Sequence, residues 1–213
     1  MKTPDEILSD LLVRYPQLAV CADSLRAAYR LIAACYERDG FLYVCGNGGS
    51  CADSDHITGE LLKGFCSLRP LPAEEREKLK TLAGDDGKML ASTLQCGLRA
   101  ISLNSHAALT TAVGNDLGDG LGPAQMLQAL GRPGDVLLAI STSGNARNLA
   151  LAGAVAKAKD VKIIGLTGRK GGKLRQAADV CICVPEDETY KIQELHLPVY
   201  HALCLMLESR FFA

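Results

Sequence analysis

Two pairs of residues, far apart in the chain, combine side-chain types suited to metal binding or proton transfer. His56 and Glu60 are four residues apart, so on a helix they project from one face, a turn apart. Gln193 and His201 are eight apart, slightly over two turns, and again share a face. The chain has four histidines, and two of them fall in these pairs. If the fold brings the pairs together, the result is a His/Glu/Gln/His cluster able to hold a divalent metal or move a proton. Gln193 is the weakest metal donor of the four and suits a substrate hydroxyl equally well. His196 reads as structural, and Glu194, on another face, as solvated or paired at an interface.

These residues need a scaffold, and the sequence supplies a repeated strand–loop–helix unit. An apolar strand at 41–45 leads into Gly46-Asn47-Gly48-Gly49-Ser50 and a helix over about 51–63. The unit recurs as strand 135–140, loop Ser141-Thr142-Ser143-Gly144-Asn145 and helix 146–159, then as strand 161–166 and a loop from Thr167 to Gly172. A strand over 180–184 and a long helix over about 189–211 follow. Ahead of all this, Pro4-Asp5-Glu6 starts one helix, and a second spans about 17–38 until Asp39-Gly40 ends it. Apolar strands alternating with helices imply a parallel sheet covered on both faces. The expected fold is an α/β three-layer sandwich of flavodoxin-like type, with about five parallel strands and an N-terminal helical pair (1–39). It forms one domain over 1–213. The stretch 65–99 reads as an insertion, with an exposed helix after Pro72, a turn at Gly84-Asp85-Asp86-Gly87, and a second helix from Lys88. Residues 100–103 suggest a short strand, and 114–122, with four glycines, a loop.

The two Gly/Ser/Asn/Thr loops have the composition a phosphate requires. Glycines admit a close ligand, hydroxyls donate hydrogen bonds, and each following helix presents unpaired N–H groups with positive partial charge. Neither loop is a Walker motif, because the Gly-Lys-Ser/Thr ending is missing, and the spacing of Gly46, Gly48 and Gly49 is not that of a dinucleotide fingerprint. No nucleotide cofactor is expected. One such loop reads as a well-capped turn; two at the carboxyl ends of strands in one sheet read as a ligand site.

Composition narrows the classes. The formal net charge is −1, with 48% hydrophobic and 22% charged residues, which speaks against a nucleic-acid partner. No apolar run approaches a membrane span of about 20 residues, and the N-terminus carries no signal-peptide pattern. Nine cysteines, an odd number, scatter without a CxxC motif. Cys21, Cys35, Cys45 and Cys204 read as small buried hydrophobes, and Cys181 and Cys183 as same-face residues of a strand. Free thiols suit a reducing cytoplasm.

Five ordered segments together resemble the sugar isomerase (SIS) domain family, and within it the phosphoheptose isomerases. They are Gly46–Ser50 with Ala52-Asp53, His56-x-x-x-Glu60-Leu61; Val113-Gly114-Asn115-Asp116; Ser141–Asn145; Gly165-Leu166-Thr167-Gly168; and Ile192-Gln193-Glu194-x-His196 with His201. The resemblance implies that Asn47, Gly48, Gly49, Ser50, Ser141, Thr142 and Ser143 line a phosphosugar pocket. It places Asn115 and Asp116 near substrate hydroxyls, though an Asx turn accounts for Asp116 almost as well. Gln193 and Glu60 also face the substrate. Glu60 and His201 become the acid–base pair of an aldose–ketose isomerisation, and zinc, where members bind it, is held by His56, Glu60, Gln193 and His201. A homotetramer with active sites at subunit interfaces is also implied. The chain departs from the family pattern at Ala146, Gly64 beside Lys63, Tyr190 and the long 70–99 segment. Two alternatives stand beside this reading: a non-catalytic phosphosugar-binding regulatory or scaffold protein, and an isomerase of another sugar phosphate.

Overall fold

The computed structural model describes residues 2–213. A five-stranded, wholly parallel sheet runs through its centre, built from β1 (Leu42–Cys45), β2 (Ala100–Ser102), β3 (Val136–Ser141), β4 (Lys162–Thr167) and β5 (Val180–Cys183) in the order β2-β1-β3-β4-β5. This is the flavodoxin-like order, whose direction of winding reverses between β1 and β3. Both faces of the sheet are buried, as the apolar runs required. Leu42, Val44, Leu138 and Ile140 face one core, while Tyr43, Cys45, Leu137 and Ala139 face the other. The alternation along each strand follows from the two-residue repeat of extended chain.

The first core is roofed by α1 (Pro4–Arg14), α2 (Ala22–Tyr36), α3 (Gly49–Leu62) and the long α9 (Thr189–Phe212), with Leu8, Leu11, Leu25, Ile32, Ile57, Leu61, Val199 and Leu203 all buried. The Thr3 hydroxyl accepts from the Glu6 N–H, and the Glu6 carboxylate accepts from the Thr3 N–H, so a capping box opens α1. The second core is covered by α6 (Gly122–Leu130), α7 (Arg147–Ala158) and α8 (Gly172–Ala177). The expected helix over 17–38 starts instead with a tight 3-10 stretch, Pro16–Cys21, before α2. Its first bond runs from the Leu18 N–H to the Tyr15 carbonyl, three residues back.

Two corrections concern the middle of the chain. The expected loop at 114–122 is shorter, because α5 (Ala107–Asp116) runs through Gly114. His106 accepts from the Leu109 N–H to start it, and the Ala/Leu/Thr run carries the helix past a glycine that costs about 1 kcal/mol. In the 65–99 segment, the two expected helices are arms of one element, α4 (Ala73–Thr93), broken only at Gly84, whose φ of +56° is a left-handed value suited to glycine. Few of its residues are buried. Its two ends meet at a bridge between Pro70 and Gln95 and a hydrogen bond from the Cys96 N–H to the Arg69 carbonyl, 2.7 Å long.

Just before that neck, Arg69 is fully buried beside Glu208, with 2.9 Å between Nη2 and Oε1 and neither side chain exposed. Arg69 also donates to the carbonyls of Glu60 and Leu61 at the end of α3, and its guanidinium lies over the Phe212 ring. Glu208 accepts from the N–H groups of Phe65 and Cys66. Burial alone would raise the Glu208 carboxyl, but the Cys66 and Phe65 N–H groups and Arg69 outweigh it and hold it below the usual carboxylate range. The stabilisation is therefore complete above the value of an unfolded Glu, about pH 4.3, and is lost as pH falls through the lower folded value. Arg69→Met, which strands a buried carboxylate, should cost about 3–5 kcal/mol in urea unfolding at neutral pH. Glu208→Gln should flatten the acid limb of the stability curve below about pH 5, where the stabilisation from a salt-bridged carboxylate begins to be lost; an unchanged limb would show that Glu208 does not carry it.

Candidate active site

The carboxyl ends of β1 and β3 are adjacent in the sheet, so their loops meet where the winding reverses. Between them lies a cavity of about 420 Å³, lined by Asn47, Gly48, Gly49 and Ser50 from one loop, Ser141, Thr142 and Ser143 from the other, and Thr189 and Gln193 from α9. Asn47, Gly48, Gly49, Ser50, Ser141, Thr142 and Ser143, expected from the sequence to line a pocket, are all at this cavity. Gly48 has φ +55° and begins α3, which is the backbone conformation only glycine holds at little cost. The Ser141 hydroxyl accepts from the Gly144 N–H and the Ser143 hydroxyl from the Asn145 N–H. Both are thereby fixed as acceptors within the loop, leaving their protons to donate outward. Asn47 is tied across the opening to Asn148 by paired amide bonds of 2.9 and 2.8 Å. Neither Asn148 nor Thr189 was singled out in the sequence, because neither belongs to a loop of telling composition.

From this cavity, α3 and α9 run side by side in the same direction. Gln193 lies against Gly49, so closely that a Cβ there would stand 2.5 Å from the amide nitrogen. Farther along, Asp53 and His56 meet Tyr200, and His56 in turn meets both Glu60 and His201. His56 Nε2 is 3.2 Å from Glu60 Oε1, and its ring packs edge-on to that of His201 with centroids 5.2 Å apart. The Phe65 ring covers His201 from the other side. Glu60 Oε2 and His201 Nε2 are both buried without a hydrogen-bond partner among the described residues, although Lys63 Nζ approaches Oε2 to 3.9 Å. Burial, with the neighbouring His56, keeps the His201 imidazole below its ordinary pKa against the pull of Glu60.

The structure thus gathers His56, Glu60 and His201 into one cluster and leaves Gln193 at the loop cavity. Helical rise puts Gln193 and His201 about 12 Å apart along α9. As donors, two imidazoles and a carboxylate with two unpartnered buried atoms fit a divalent metal, although no group of three or more His, Cys, Asp or Glu side chains is spaced for a shared ion among the described residues. Asn115 and Asp116 are not at the cavity wall. They close α5, exposed, with the Asn115 amide donating to Asp116 Oδ1 at 2.8 Å. His196 is fully buried, and burial pushes its pKa down to about 4, so it is a neutral core residue as expected.

Two family models, each of the SIS domain, match the chain, one over residues 17–81 and the other over 121–209. The phosphoheptose isomerase of Akkermansia muciniphila is 34% identical over 193 residues, covering 91% of this chain and 82% of its own. The chain belongs to the phosphoheptose isomerase family. Two solved members share its fold. The phosphoheptose isomerase from Francisella tularensis superposes with a TM-score of 0.74 at 30% identity, over 97% of this chain and 98% of that one. That from Neisseria gonorrhoeae gives 0.69 at 33%, over 88% and 87%. In a member of this family, the loop cavity should bind the phosphate end of the sugar. Ser143→Ala, which removes an outward donor and leaves the turn's other bonds, should raise KM for a phosphosugar about tenfold (a loss of about 1.4 kcal/mol) with kcat nearly unchanged. Equal kinetics in the variant would place the phosphate elsewhere.

Proposed function

We propose that this phosphoheptose isomerase family member interconverts sedoheptulose 7-phosphate and the corresponding aldose, a glycero-manno-heptose 7-phosphate. The phosphate is held by the hydroxyls of Ser141, Thr142 and Ser143 and by the N–H groups that open α3, with Asn47, Gly48, Gly49, Ser50 and Gln193 completing the wall. Glu60 removes the proton beside the carbonyl and His201 returns one to the neighbouring atom, the roles exchanging with the direction of reaction. The observation that carries this reading is that Glu60 Oε2 and His201 Nε2, both reached by His56 near the end of the α3/α9 seam, are each buried without a hydrogen-bond partner among the described residues. A buried acceptor and a buried imidazole nitrogen with nothing to bond cost stability unless a substrate or ion completes them. That requirement favours an enzyme over a regulatory or scaffold protein of the same fold, which binds a phosphosugar without an acid–base pair.

A divalent metal, zinc foremost, is part of the proposal. His56, Glu60 and His201 would hold it, Gln193 staying at the loop cavity, and it would stabilise negative charge developing on the sugar's carbonyl oxygen. We also assign the protein to a homotetramer with interface active sites. The distance between the loop cavity and Glu60/His201 within one chain supports this, since a second copy can bring its own pair to the cavity. The exposed apolar side chains of Val13, Val20, Leu62 and Leu197 offer surface for association. Nine free thiols suit the cytoplasm, and no helix of the described residues is long and apolar enough to cross a membrane.

The test is turnover of sedoheptulose 7-phosphate, followed by appearance of the aldose. Glu60→Gln and His201→Ala should each lower kcat by about 10²–10⁴-fold while phosphosugar binding persists. Treatment with a chelator should lower the wild-type rate, and added zinc should restore it. Undiminished turnover in both variants would remove Glu60 and His201 from the chemistry. Tight binding without turnover in the wild-type protein would favour the regulatory reading.

A further inference from the structure

The hydrogen bonds behind His56 fix which of its nitrogens is free to act. His56 Nδ1 lies 3.0 Å from the Tyr200 hydroxyl, and that hydroxyl lies 3.2 Å from Asp53 Oδ1. An ionised carboxylate only accepts, and a phenol has one proton. Tyr200 gives that proton to Asp53, so its oxygen meets His56 as an acceptor and Nδ1 must carry a hydrogen. The other ring nitrogen, Nε2, is thereby turned toward Glu60 Oε1, 3.2 Å away. With a proton on Nε2 as well, His56 donates to that carboxylate; without it, lone pair and carboxylate oxygen face each other across a space that suits a cation. Tyr200 also packs edge-on to both His56 and His201, with centroids 5.6 and 5.0 Å apart. Tyr200 is 1% exposed, so its hydroxyl depends on these two partners alone.

We infer that Asp53 and Tyr200 are positioning residues that lock His56 in its Nδ1–H form, so that Nε2 and Glu60 Oε1 together present a built seat for a divalent cation. The inference rests on the assignment of His56 and Glu60 to the active site and adds what orients them. Neither Asp53 nor Tyr200 touches the loop cavity, so their effect on the reaction passes through His56. Residues that orient a ligating histidine in this way are worth about 10–100-fold in metal affinity or activity.

The experiment uses the full chain and the variants Tyr200→Phe and Asp53→Asn, with nitrogen-15 labelling of histidine. In the metal-free wild type, the His56 ring, assigned by comparison with His56→Gln, should show its proton on Nδ1. Tyr200→Phe keeps the ring packing and removes the acceptor, so this signature should be lost, and calorimetric titration with Zn²⁺ alone should show affinity about 10–100-fold weaker. Asp53→Asn retains a group that can accept from Tyr200, and should fall between the two. With sedoheptulose 7-phosphate, both variants should lose kcat more than they raise KM, because the loop cavity is intact. A proton on Nε2 in the metal-free wild type would overturn the inference, as would a Tyr200→Phe protein with unchanged Zn²⁺ affinity. Failure of the functional reading looks different: the tautomer and Zn²⁺ affinity would respond as expected, while Glu60→Gln turned over at the wild-type rate.

Discussion

A guanidinium keeps its charge at any pH a protein meets, so Arg69, with no exposed side-chain surface, obliges the fold to surround it with acceptors. Glu208 supplies one carboxylate, and the last carbonyls of α3, those of Glu60 and Leu61, supply the rest. Meeting that demand welds the end of α3 and the start of the following segment to the far end of α9. Removing two charges from water costs several kcal/mol, so the pair contributes little net stability as a unit. What it contributes is position. The backbone of Glu60 is itself a partner of Arg69, which fixes the end of α3, and Phe65, whose N–H is held by Glu208, is the ring that covers His201.

The opposite end of the α3/α9 seam is held by a different kind of force. There the helices close because Gly49 has no side chain and the Gln193 amide fills the space. The loop cavity gathers no lysine or arginine at its wall. A phosphate held there relies on hydroxyls and helix N-termini, whose positive potential costs no buried countercharge when the site is vacant. One seam therefore joins a neutral anion cradle to a half-buried acid–base cluster.

Much of this was legible in the sequence, and the reasons are specific. Helical spacing predicts that His56 and Glu60 share a face because α3 is regular from Gly49 to Leu62, and the two hydroxyl-rich loops stand out because no packing argument needs three consecutive hydroxyls. The order β2-β1-β3-β4-β5 agrees with the fold expected from strands alternating with helices. Arg69 was not legible: a single basic residue next to a proline reads as surface, and only tertiary burial gives it meaning. Tyr200 was hidden for another reason, since it is adjacent to His201 in sequence and helical spacing points neighbours in different directions; it reaches Asp53 because α3 and α9 run in parallel. Asn115 and Asp116, placed near the substrate by the family resemblance, close α5 and do not line this chain's loop cavity, because the Ala/Leu/Thr run before them favours a helix where the glycines suggested a loop.

The neck at Pro70 and Gln95 has a thermodynamic meaning. Gln95 accepts from the N–H groups of both Gly64 and Arg69, so the chain that leaves the body of the protein returns to it within one hydrogen-bonded turn. Everything beyond, including most of α4, adds almost nothing to either hydrophobic core. The excursion is thus a separate cooperative unit, free to open at a small fraction of the global unfolding energy while the seam stays shut. Amide exchange along α4 would be set by that local opening rather than by unfolding of the sheet, and sequence there can drift without disturbing the catalytic geometry at its base.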